Sequence, residues 1–141
     1  MRPDRKLIAE ILRTANQMTT ARNALLAGWG LTSARLRLLK MVRRLPIPFT
    51  VSGLARAMSV SRQAVQPTVR ELEAAGLVCL DVSLRNRKAL VVTLTAAGRE
   101  RLAQVAQVEQ RWIADLTRGF SDYETARTAW FVGILRKRLG E

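Results

Sequence analysis

The chain is 141 residues long and 48% apolar, with 24 Lys and Arg against 11 Asp and Glu for a formal charge of +13. That length supports one domain with a core, or a small domain plus dimerisation helices, and the apolar share excludes a disordered polymer. The charge calls for an anionic partner, nucleic acid before a membrane surface, while the absence of histidine and the lone Cys79 exclude an intrachain disulfide and a cysteine zinc site and remove the commonest general base.

Met1-Arg2-Pro3-Asp4-Arg5-Lys6 is basic but runs into an amphipathic pattern rather than the apolar core of a signal peptide. No apolar run approaches the ~18 residues that a spanning helix needs, so a cytoplasmic protein without a membrane partner is expected. Residues 4–27 predict a long helix with Asp4 as its cap and Leu7, Ile8, Ile11, Leu12, Ala15, Met18 and Leu25 at helical spacing. Gly28-Trp29-Gly30 interrupts it. A second helix is expected from a Thr32 cap to Arg44, with Leu36, Leu39 and Val42 inward and Arg35, Arg37, Lys40, Arg43 and Arg44 outward. Pro46 and Pro48 end it, and Phe49-Thr50-Val51 is a candidate short strand.

Ser52 is placed to cap a short helix through Met58, and Ser59-Val60 forms a tight joint. Ser61 can cap a further helix that stops at Ala74-Ala75-Gly76, where glycine suits the left-handed residue past a helix end. Val65, Val69 and Leu72 fall on one face of that helix; Arg62, Gln63, Gln66 and Arg70 fall on the opposite one. An apolar back with an Arg/Gln front suits a major groove, where Arg pairs with guanine edges and Gln with adenine. Ser61 and Thr68 are candidates for phosphate contacts. Pro67 disturbs this picture, because an interior proline removes a helical N–H and costs ~3 kcal/mol. Either the helix starts at Arg62 and bends, or it starts late with Gln66 as cap and Pro67 at its first position. The early start is preferred, since the late one leaves Arg62 and Gln63 in an unexplained loop.

The period then changes. Leu77–Val82 and Ala89–Leu94 predict two strands, joined by the polar tip Ser83-Leu84-Arg85-Asn86-Arg87-Lys88. Such a tip would serve equally as a solvated turn. Its place in one compact unit with the Arg/Gln face favours Arg85, Asn86, Arg87 and Lys88 as wing contacts to duplex DNA. Cys79, among Leu77, Val78 and Leu80, reads as a small buried hydrophobe rather than a redox sensor.

Thr95 is expected to cap a long helix from Ala96 to about Arg118, with Leu102, Val105, Ala106, Trp112, Ile113 and Leu116 as its stripe. Gly119 breaks it. Ser121-Asp122-Tyr123-Glu124 has the form of a capping box, and the last helix carries Trp130, Phe131, Ile134, Leu135 and Leu139 before Arg136-Lys137-Arg138. The fold class expected is mainly α with a small antiparallel β wing (α+β). It divides into an N-terminal dimerisation helix (1–30), a winged helix-turn-helix (31–94) and C-terminal dimerisation helices (95–141). Long amphipathic helices at both termini exceed what the small reader can bury, which points to a homodimer.

Several strings together resemble the MarR family of bacterial transcription regulators. They are Leu54-Ala55-Arg56-Ala57-Met58-Ser59-Val60-Ser61-Arg62-Gln63-Ala64-Val65, Val69-Arg70-Glu71-Leu72-Glu73-Ala74-Ala75-Gly76-Leu77-Val78, Arg87-Lys88 at the wing, and Leu94-Thr95-Ala96-Ala97-Gly98-Arg99. The resemblance covers nearly the whole chain. It implies a homodimeric regulator, a repressor more often than an activator, on a pseudo-palindromic operator. It also implies release of DNA when a small, often aromatic, molecule binds between the dimer helices and the reader; Trp29, Met41 and Phe49 could line such a crevice or simply pack in the core. The chain departs from the family at the wing, where Asn86 stands in place of the usual Asp that orients the first Arg, so Arg87 should be less firmly pre-oriented. A winged-helix docking module without sequence-specific binding is the rival reading. An enzyme is disfavoured by the missing histidine and the lack of a nucleotide-binding glycine loop, and no cofactor is expected.

Overall fold

A computed structural model describes residues 2–140. The chain forms two compact units, one extending through Val105 and the other beginning at Ala106. The first holds α1 (Pro3–Ala27), α2 (Ser33–Arg44), α3 (Val51–Ala57), α4 (Arg62–Ala74), β1 (Val78–Val82), β2 (Leu90–Leu94) and the start of α5 (Ala96–Leu116). The second holds the rest of α5 and α6 (Asp122–Arg138).

Side-chain caps set most of the helix starts. Thr32 Oγ1 accepts the Arg35 N–H at 3.1 Å, Ser61 Oγ accepts Ala64 N–H at 3.2 Å, and Thr95 Oγ1 accepts Gly98 N–H at 3.0 Å. Two expected caps are corrected. Pro3 occupies the first turn of α1 after Arg2, whose side chain makes no cap, and Asp4 Oδ1 accepts only the adjacent Arg5 N–H, at 2.8 Å. At α3 the cap is Thr50, whose Oγ1 accepts Gly53 N–H at 3.0 Å, so Ser52 lies inside the helix. The expected strand at 49–51 therefore shrinks to a single bridge: the Phe49 carbonyl accepts Val92 N–H at 2.9 Å, and the chain turns helical at once.

The core of the first unit includes Leu26, Leu36, Leu38, Leu39, Leu54, Val65, Val69, Leu72, Leu77, Val78, Val92, Leu102 and Val105. Leu38 lies outside the inward stripe that the spacing of α2 predicts. Because α2 packs against both α4 and β2, its buried arc is wider than one stripe. The two strands pair antiparallel, with Val78 opposite Leu94, Leu80 opposite Val92 and Val82 opposite Leu90.

Two glycines hold the joints of this unit. Gly76 ends α4 at φ +75°, the left-handed conformation. Gly98 lies in the first turn of α5, where a Cβ would collide with the Leu77 carbonyl oxygen. Thr95 binds the same corner, its Oγ1 donating to the Gly76 carbonyl at 2.6 Å and its N–H to the Leu77 carbonyl at 3.1 Å. The Leu-Thr-x-x-Gly-Arg string is thus the hardware that seats the start of α5 against the end of α4.

In the second unit α5 ends at Leu116, two residues before the expected Arg118, and the Ser121/Glu124 capping box forms as expected. Ser121 Oγ accepts Glu124 N–H at 3.1 Å while Glu124 Oε2 accepts Ser121 N–H at 2.9 Å. None of the described residues of α6 is buried.

Candidate nucleic-acid interface

The recognition helix α4 presents the back and front expected of it. Val65, Val69 and Leu72 are buried, and the helix begins at Arg62 under the Ser61 cap, so the late start at Gln66 is set aside and Pro67 lies inside the helix. Arg62, Gln63 and Arg70 are exposed; Gln66 and Thr68 are half-buried. Arg62 Nε donates to Gln66 Oε1 at 3.4 Å, one turn along. Pro67 is itself exposed. It shares a face with Gln63, four residues back, and Arg70, three on. In the sequence Pro67 reads only as a helix breaker, yet it contributes an apolar patch at the centre of the front.

The wing stands beside this front. An open cleft of about 380 Å³ is lined by Thr50, Val51 and Ser52 at the start of α3, Arg62 and Gln66 of α4, and Leu80, Lys88, Ala89 and Leu90 of the wing. Arg62, Gln66 and Lys88 thus converge on one hollow. Arg85, Asn86 and Arg87 are exposed on the tip beyond it. Asn86 does something other than orient Arg87: its Oδ1 accepts the Lys88 backbone N–H at 3.1 Å, and its carbonyl accepts Ala89 N–H at 2.9 Å. It shapes the turn that carries the cations. The electrostatics favour an anion here, since no carboxylate stands in the chain between Glu10 and Glu71.

A second set of contacts fixes where the recognition helix sits. Arg35, expected to point outward, is half-buried, donating through Nε to Glu71 Oε2 of α4 at 3.0 Å and through Nη1 to the Gly30 carbonyl at 3.1 Å. Arg101 of α5 donates to the neighbouring Trp29 carbonyl at 2.6 Å. Two guanidinium groups therefore grip consecutive carbonyls of the turn between α1 and α2. Trp29, Met41 and Phe49 pack against the hydrophobic core.

Cys79 departs from its expected setting. It is half-buried on the polar side of the ribbon, its Sγ 3.0 Å from Thr93 Oγ1, which donates to Asp81 Oδ2 at 2.8 Å. The cause is register: Thr93 lies directly opposite Cys79.

Two short helices joined by a tight turn, the second with a polar front, followed by a cationic two-stranded ribbon, define a winged helix-turn-helix. Residues 29–82 match the model of the MarR family. The HTH-type transcriptional repressor Rv2887 of Mycobacterium tuberculosis is 35% identical over 99 residues, covering 67% of this chain and 70% of that protein. A candidate regulator of the hcr operon in Thauera aromatica is 29% identical over 108 residues, or 77% of this chain, and the aligned part spans 63% of its length. The YusO protein of Bacillus subtilis superposes with a TM-score of 0.79 at 20% identity, covering 97% of this chain and 99% of that one. The chain belongs to the MarR family of DNA-binding transcription regulators, which are not enzymes.

Proposed function

We propose that the protein is a sequence-specific, effector-responsive repressor that binds a pseudo-palindromic operator as a homodimer. The observation that carries this reading is the convergence of Arg62, Gln66 and Lys88 on one cleft beside the exposed Gln63, Pro67 and Arg70. In it, the α4 front enters the major groove, Arg85 and Arg87 reach the adjacent minor groove or its phosphates, and Ser61, Thr68, Asn86 and Lys88 support backbone contacts. Repression is supported by the mycobacterial relative, which is named a repressor. The effector, a small aromatic molecule, follows from the family resemblance.

The dimer is supported by apolar surface that a single chain leaves uncovered. Leu7, Ile8, Leu12 and Met18 are exposed along α1, and Tyr123, Trp130 and Phe131 along α6, with Leu139 just past its end. Such surface marks association sites. It belongs to helices other than α4, so the rival docking-module reading does not account for the polar α4 front.

The experiment is selection of duplexes from a random library by the purified protein, followed by anisotropy titrations at several salt concentrations. Recovery of an inverted repeat with half-sites about one helical turn apart is expected. Salt-sensitive binding with no recovered motif would reduce the site to a generic cationic surface.

A further inference from the structure

The wing carries an apolar residue that its cationic role does not explain. Leu84, at the tip, has a relative exposure of 103%, and the facing strand residues Val82 and Leu90 are more than half exposed beside it. The loop holds it there. The Ser83 N–H donates to the Ala89 carbonyl at 2.9 Å, and Ser83 Oγ accepts the N–H groups of Arg85 at 3.2 Å and Asn86 at 3.4 Å. The backbone on both sides of Leu84 is thereby tied down with the side chain outward, between a hydroxyl-closed turn and the cations Arg85, Arg87 and Lys88.

We propose that Leu84 is a minor-groove wedge, inserting between base steps of the duplex and unstacking one of them at each half-site. The inference rests on the interface reading above and adds a residue and a mode of contact to it. An apolar side chain flanked by cations suits such insertion. The cations draw the tip into the groove, where negative potential is greatest when the groove is narrow, and the leucine displaces stacking. Val82 and Leu90 then cover the apolar edges of the sugars beside the opened step. A second copy of the tip is a poor occupant, because each copy brings three cations to the contact.

The test uses the full chain and duplexes selected by the wild type, with 2-aminopurine placed at successive steps outside the major-groove contact. The wild type should raise the fluorescence several-fold at one step per half-site, through unstacking. Leu84→Ala should abolish that rise and weaken binding on the order of tenfold, with no change in the slope of affinity against salt, because no phosphate contact is lost. Leu84→Met should restore both. An equal rise with Leu84→Ala, or none with a tightly and selectively bound wild type, would overturn the wedge while leaving the interface standing. Failure of the wild type to select any duplex would overturn the interface and the wedge together. Leu84-dependent binding to phosphatidylglycerol vesicles with no fluorescence change on DNA would overturn it in favour of a membrane contact.

Discussion

Arg87 and Gln63 sit on different elements and should fail differently when removed. Arg87 is an exposed cation on the tip, so Arg87→Ala should weaken binding to all duplexes alike and lower the salt slope by about one. Gln63 is neutral and exposed on the α4 front, so Gln63→Ala should leave the slope unchanged and relax discrimination at one base pair by about 1–3 kcal/mol. Anisotropy titrations against selected and scrambled duplexes separate the two. Much at this scale is legible in the chain itself: the spacing of Val65, Val69 and Leu72 identifies the back of α4, and with it the front. Contacts between distant residues are less so. That Arg35 would turn inward to meet Glu71, or that Cys79 would face Thr93, depends on packing and register, which spacing along one element does not encode.

Among the elements, α3 shows how a correct residue class can be read at the wrong position. Thr50, Ser52 and Gly53 all precede the apolar run, and local propensity allows a cap at either hydroxyl. The choice is made by Phe49, whose carbonyl is held by Val92 N–H, leaving Thr50 extended and Val51 already helical. Thr50→Ala should therefore lower stability by about 1 kcal/mol, whereas Ser52→Ala should change it by about 0.5 kcal/mol or less, as thermal or urea unfolding would record. Element α6 offers a pH handle. The Ser121 backbone N–H, and then its hydroxyl, donate to the Glu124 carboxylate and hold its pKa below the ordinary glutamate value. The charged form is the one favoured by folding, so this support is fully present above the ordinary glutamate pKa and is lost as pH falls through the lowered one. The Ser121 amide shift should titrate with a midpoint below that of a free glutamate, and Glu124→Gln should remove the transition.

For the whole molecule, the decisive quantity is the apolar surface that one chain cannot cover. Leu12 is 66% exposed on α1 and Trp130 is 63% exposed on α6; large side chains in that state, repeated along two helices, are costly in water. Sedimentation should give a particle of twice the 15.8 kDa chain. The double variant Leu12→Asp/Trp130→Asp should sediment as monomers and lose most of its operator affinity, because half-sites bound singly forfeit the linkage between them. The extent of the long terminal helices is legible from their caps and breakers, although the apolar residues of α6 are spread round it rather than gathered on one stripe. Their exposure is not, because an amphipathic stripe reads the same whether it meets its own core or another chain.

One side chain joins these scales. Arg35 is a rigid fork with two commitments, one prong on the carbonyl at the foot of the long N-terminal rod and the other on the carboxylate of the reading rod. The guanidinium is planar, so the two bonds together favour one placement of the carboxylate relative to the carbonyl. The same side chain thereby ties the turn that follows the long N-terminal rod to the helix that carries Gln63 and Gln66.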